Sequence, residues 1–190
     1  MRDFTYKRYR TYLEAMVNRG IKFYRFDDYL ATEPKEQFCL LRHDVDRKPK
    51  NSLAMAKIEA DLGIKATYYF RAKSCSYDEK IIKEIAALGH EIGYHYEALS
   101  DARGDLDLGY QIFEKNLKKF RTLTPIKTIS MHGRPLSPID NRDMWKTDLG
   151  KSKMATLDIA GEIYHAVDYT NIAYIGDTGR NWSSGKSNLR

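Results

Sequence analysis

Phe38-Cys39-Leu40-Leu41-Arg42-His43-Asp44-Val45-Asp46 is an apolar run that closes on two carboxylates. Its first half reads as a buried strand, because consecutive apolar residues leave neither face for water. Side chains alternate along a strand, so Asp44 and Asp46 point to one side. His43 points to the other and takes a packing role. Two carboxylates side by side at a strand end repel each other, and a cation or a shared proton relieves that cost. A metal with a general base beside it is the sharp reading. A solvated acidic turn before the next helix is the plain one.

Outward from this stretch, a rhythm repeats. Residues 5–19 carry Tyr6, Tyr9, Leu13 and Met16 at helical spacing, and Gly20 stops the run. Residues 21–25 read as a short strand. The strand over 37–43 leads through Pro49 into a helix over 51–62, which stops at Gly63. A strand over 65–71, a helix over 78–88, a strand over 90–95, a helix over 105–122 and a strand over 126–131 follow. Repeated β-α-β predicts an α/β fold built on a parallel sheet or barrel. After Gly133 the rhythm breaks. Residues 134–153 are loop-rich with a short helix at 141–147, and strands are expected at 154–159 and 171–176. The tail over 179–190 is rich in Gly, Ser, Asn and Arg.

The 190 residues suit one domain over 1–190. Hydrophobic residues make up 42% and charged residues 31%, a soluble balance. No apolar run approaches the ~20 residues that span a bilayer, so no membrane span is expected. The first residues carry no apolar signal core, so the expected location is cytoplasmic. Cys39 in a strand and Cys75 in a loop suit a reducing compartment. The net charge of +6 is compatible with nucleic acid, a membrane surface or an anionic substrate. The densest basic cluster, Lys115, Lys118, Lys119 and Arg121, reads as a solvated helix face. No nucleic-acid-binding signature accompanies it, so no specific nucleic-acid partner is expected.

In parallel β/α folds, ligands collect at the carboxyl ends of the strands. There the predicted strands bring His43, Asp44 and Asp46, then His95 and Glu97, then His132. An aspartate with two histidines is a common ligand set for zinc or a similar divalent ion, and one carboxylate remains to act as base. A hydrogen-bonded structural role is the competing reading of His132. His90 alternates away from His95 and reads as structural. Glu97, Arg142 and Arg180 are the candidates for binding substrate, the two arginines suiting an acidic sugar or phosphate. Tyr68, Tyr69 and Phe70 read as the core and rim of a strand.

Three segments, Arg42-His43-Asp44-Val45-Asp46, Ala66-Thr67-Tyr68-Tyr69-Phe70 and Gly89-His90-Glu91-Ile92-Gly93-Tyr94-His95, resemble the polysaccharide deacetylase family, the NodB-homology carbohydrate esterases. The likeness spans roughly residues 37–135. Met131-His132-Gly133-Arg134-Pro135, Asp140-Asn141-Arg142 and Gly176-Asp177-Thr178-Gly179-Arg180 look like a divergent branch of it. The resemblance implies a distorted (β/α)7 barrel, incomplete here because the chain supplies six or seven strands and stops without a closing helix. It implies metal-dependent removal of N-acetyl groups from an acetylated sugar or glycan. It assigns Asp44 as general base and Asp46 and His95 as metal ligands. The family's second histidine, four residues after the first, is Leu99 here, so His132 or Glu97 takes that place. The family's late histidine, its general acid, has no counterpart, because no histidine follows His165. A glycan-binding protein without turnover is the alternative.

Overall fold

The computed structural model describes residues 4–134, 137–170, 172–176 and 183–184. The chain opens on α1 (Tyr6–Asn18), where the Thr5 hydroxyl accepts from the Arg8 amide as an N-cap. Then come β1 (Lys22–Tyr24), α2 (Phe26–Thr32), β2 (Phe38–Leu40) and β3 (Arg42–Val45). α3 (Pro49–Asp61), β4 (Thr67–Phe70), α4 (Glu79–Ala87) and β5 (Glu91–Tyr96) continue the alternation. α5 (Ala98–Asp101), α6 (Leu106–Arg121), β6 (Thr128–Met131) and a 3-10 turn at Asn141–Trp145 follow. The chain then passes through α7 (Asp148–Thr156), β7 (Gly161–Glu162), α8 (Ile163–Ala166), β8 (Ile175–Gly176) and β9 (Ser183–Ser184).

β3 to β7 form one five-stranded sheet in sequence order, every neighbour parallel. This is the expected α/β class, and among the described residues the strands do not close into a barrel. Among the described residues the sheet ends at β3 and β7, and β1 and β2 form a separate parallel pair. The single strand expected over 37–43 changes partner at Leu41. Its first half pairs with β1, while the Leu41 carbonyl already accepts from Thr67 of β4.

Two expected strands also differ. Residues 154–159 hold the end of α7 and a turn in which Asp158 has φ 52°. Thr147 starts that helix by accepting from the Gly150 amide, and apolar spacing in a short segment does not separate helix from strand. The strand expected over 171–176 is confined to β8, which pairs antiparallel with β9.

The sheet's two faces differ in chemistry. Val45, Tyr68, Phe70, Ile92, Tyr94, Tyr96 and Ile129 alternate onto one face and pack under α3, α4 and α6. The other face carries Arg42, Asp44, Thr67, Tyr69, Glu91, Gly93, His95, Thr128 and Ser130, as the register requires. Tyr69 meets Phe26 of α2 and Ile163 and Val167 around α8 there. A Cβ at residue 93 would fall 2.2 Å from two ring atoms of Tyr69, so glycine is required for this close approach. Gly93→Ala should therefore lower stability by about 1–3 kcal/mol, the usual size of overpacking. Denaturant titration checks this, and a double-mutant cycle with Tyr69→Leu should return a coupling between the two sites. Wild-type stability in Gly93→Ala would contradict the packing.

Glu91 lies deep on the same face, accepting from Thr67 and Thr128 at 2.7 and 2.6 Å. Burial, with Asp27 nearby, pushes its carboxyl up to about 7. Between its ordinary 4.5 and about 7 the folded chain holds a proton that the unfolded chain has released. Stability contributed by that proton is lost as pH rises through this window. Glu91→Gln should therefore gain stability over wild type at pH ~8 compared with pH ~5. A variant-minus-wild-type difference that stays flat across that range would contradict the assignment.

Candidate metal centre

β3 ends in a tight turn, the Asp46 amide donating to the Asp44 carbonyl at 3.1 Å. The loop after β4 holds that turn from behind. There the Ser76 hydroxyl donates to the Val45 carbonyl, and the Cys75 thiol to the Asp46 carbonyl at 3.3 Å. His95 stands two residues beyond Gly93 on the same face. Its Nδ1 lies 2.9 Å from the Ser130 carbonyl. A carbonyl only accepts, so Nδ1 carries the hydrogen and Nε2 of the neutral ring presents a lone pair. Burial lowers the His95 pKa below its ordinary value and favours that neutral ring. His132 follows β6. Its amide donates to the Tyr96 carbonyl at 2.7 Å, and its own carbonyl accepts from Asn141 Nδ2 at 3.1 Å.

These anchors bring three donor atoms together. His132 Nδ1 lies 3.1 Å from Asp46 Oδ1 and 3.2 Å from His95 Nε2, and His95 Nε2 lies 3.5 Å from Asp46 Oδ1. Three ligands bound tetrahedrally at ~2.0–2.1 Å from an ion would stand about 3.3 Å apart. The observed triangle is close to that. Asp46 Oδ1 is shielded from solvent, and apart from its contacts with the His132 and His95 nitrogens it has no partner among the described residues. Such an atom is costly unless something else satisfies it. The donor set, the spacing and the shielded oxygen all fit a divalent cation, so this cluster can coordinate one. The His95 side chain is 3% exposed, His132 18% and Asp46 50%, so the triangle opens to solvent on the Asp46 side.

Asp44 stands beside the triangle. Its Oδ2 is 3.9 Å from His95 Nε2 and 2.7 Å from Arg42 Nη2. Desolvation pushes the Asp44 carboxyl up, but Arg42, and after it His95, outweigh this and hold it below its ordinary value. The same Arg42 nitrogen donates to the Tyr164 hydroxyl at 2.8 Å, and the guanidinium sits 5.1 Å from that ring's centre. Asp44 and Asp46 thus face one side, as alternation requires.

The other sequence candidates are placed as follows. Glu97 is buried, gripped through one oxygen by Arg71 and through the other by Arg134, at 2.7–3.1 Å. It lies outside the donor triangle. Arg142 forks onto Asp140 and stands 5.6 Å from the Tyr164 ring centre. Arg180 lies outside the described residues. His43 turns to the helix-covered face, 2.7 Å from Glu59 and stacked on Tyr68. His90 accepts from the Ala66 amide and donates to the Ala56 carbonyl. Sequence reasoning missed Arg42, although its place two residues before Asp44 put it on the same face. It also missed Ser130 as the partner of His95, and Tyr164, for which no local signal exists.

Compared with protein-family models, curated proteins and solved structures, the chain matches none. Among the described residues, no helix is long and apolar enough to cross a membrane. The donor triangle is compatible with a metal-dependent hydrolase in general.

The geometry generates an ordering of variants. Purified protein should hold about one divalent ion per chain, and Asp46→Ala or His95→Ala should lose it. His132→Ala should weaken binding far more than Glu97→Gln, because Glu97 is committed to two arginines. Elemental analysis and metal titration decide this. The reverse ranking, or no binding after zinc or cobalt is added, would remove the triangle as a metal site.

Proposed function

We propose that this chain is a metal-dependent hydrolase that removes an N-acetyl group from an amino sugar or glycan, with zinc the ion that best suits two histidines and one aspartate. The carrying observation is the Asp46–His95–His132 triangle at the carboxyl ends of β3, β5 and β6, with Asp44 beside it. The choice of an acetylated sugar rests on the segments that resemble polysaccharide deacetylases. A divalent ion in this position supplies Lewis acidity toward an acyl carbonyl and toward water.

Asp44 accepts the proton of the attacking water. Arg42 keeps that carboxylate ionised and fixes its direction, and Tyr164 holds Arg42 in turn. Ser130 holds His95 in the tautomer that offers Nε2. Glu97 aligns Arg71 and Arg134 at the rim rather than entering the reaction. A glycan-binding role without turnover is the rival. It is favoured by the lowered Asp44 pKa, which weakens a base.

The test is acetate release from a panel of acetylated amino sugars, run beside a metal titration. Asp44→Asn should cut turnover by ~10²–10⁴, the usual loss for a general base, while metal binding is largely kept. Wild-type turnover in Asp44→Asn would show that Asp44 is not the base. Metal and glycan binding by wild type with no acetate from any substrate would establish the rival.

A further inference from the structure

We propose that the mouth of this site takes a ligand bearing an acidic group, a phosphate or a carboxylate, and that the loop from Arg47 to Lys50 grips it. The inference rests on the hydrolase reading of the same site and names its substrate class. Arg47, Lys48 and Lys50 follow directly on Asp46 and are all exposed. Among the described residues none of their side chains has an ion pair or hydrogen bond. Lys48 adopts φ 55° and Pro49 starts α3, so the loop's path is constrained. Cys75 and Ser76 pin the residues just before it, through the Asp46 and Val45 carbonyls.

The neighbouring loops add to the same sign. Arg71 and Lys73 follow β4, and Arg134 lies two residues beyond His132. Among the described residues these three cations share the Glu97 and Asp101 carboxylates. At the opposite end of the sheet the charges are paired, Arg25 with Asp27 and Asp28, and Lys127 with Asp158. Unpaired cations on one short loop repel, and an anion among them removes that repulsion. A neutral acetylated sugar would gain nothing from three unpaired cations. A phosphate or carboxylate would gain charge-assisted hydrogen bonds. A nucleic acid fits less well, because the exposed aromatics Phe4, Tyr6 and Tyr12 belong to the N-terminal segment and none to these loops.

The probes are inorganic phosphate and glucuronate, with neutral N-acetylglucosamine as reference and a single-stranded oligonucleotide as rival. Binding is followed by calorimetric titration on protein as purified and after chelation. Wild type should bind phosphate or glucuronate, and the tighter of the two identifies the acidic group. Raising ionic strength from about 0.05 to about 0.5 M should weaken that binding. Arg47→Gln/Lys48→Gln/Lys50→Gln should weaken it ~10-fold or more, with an unchanged unfolding midpoint because the residues have no partners. Lys57→Gln/Lys115→Gln/Lys118→Gln removes equal charge elsewhere and should leave it intact. Binding that survives chelation but not the loop substitutions places the anion on the loop, whatever becomes of the metal reading. Binding to neither probe, a loop variant equal to wild type, or equal losses in both triple variants would overturn the proposal. So would an oligonucleotide that binds more tightly than either probe.

Discussion

The Tyr69 ring occupies the space that a side chain at residue 93 would fill, and its hydroxyl meets Thr128 at 2.7 Å. One side chain therefore crosses β5, from β4 to β6. Glu91 repeats the crossing one layer below, with Thr67 on one side and Thr128 on the other. These polar ties fix three strands relative to one another on the face that carries the site. His95 stands directly after this layer, and His132 leaves the end of β6, so the separation of their nitrogens is inherited from the ties. A polar network of this kind is favourable only when its members are satisfied, and here the hydroxyls and carboxylate satisfy one another. The same requirement explains why Gly93 stands in a strand whose other residues are large.

The sheet and its order were legible because apolar runs, glycine stops and helical spacing alternated without interruption as far as Gly133. The rim residues followed from that, since strand ends and period-two alternation suffice to name Asp44, Asp46, His95 and His132. The change of partner at Leu41 was not legible, because an uninterrupted apolar run carries no mark of which neighbour each half pairs with. α2 was missed because Phe26–Thr32 is short and two of its first three residues are aspartates. Residues 154–159 misled because Met154, Leu157 and Ile159 are spaced ambiguously, and the helix start at Thr147 decided the outcome. Contacts such as Arg42 with Tyr164, 122 residues apart, belong to tertiary structure alone.

His43 and Asp44 are neighbours that serve opposite faces of one strand. His43 reaches Glu59 of α3, a fully buried carboxylate that also accepts from Tyr9 of α1 and Tyr68 of β4. Burial pushes Glu59 up, but His43 and the hydrogen bonds outweigh it and keep the carboxylate below its ordinary value. The knot joins two helices to the first two strands of the sheet. Asp44 cannot shift without moving His43, so the helix-covered face stiffens the strand end from which Asp44 projects. This is a backbone constraint, and it complements the direct grip of Arg42.

That grip sets a limit on the chemistry. A guanidinium 2.7 Å from Asp44 orients the carboxylate and keeps it ionised, yet each step by which it lowers the pKa also makes the carboxylate a weaker proton acceptor. The donors beside it are arranged on a related compromise. His95, neutral and nearly inaccessible, lies deepest, while Asp46, the one anionic donor, is half exposed. A neutral imidazole is cheaper to bury than a carboxylate. A triangle with its anion at the surface can therefore keep its shape before any cation arrives. The half-exposed Asp46 is followed directly in the chain by Arg47 and Lys48, while Arg42, which orients Asp44, lies at the start of β3.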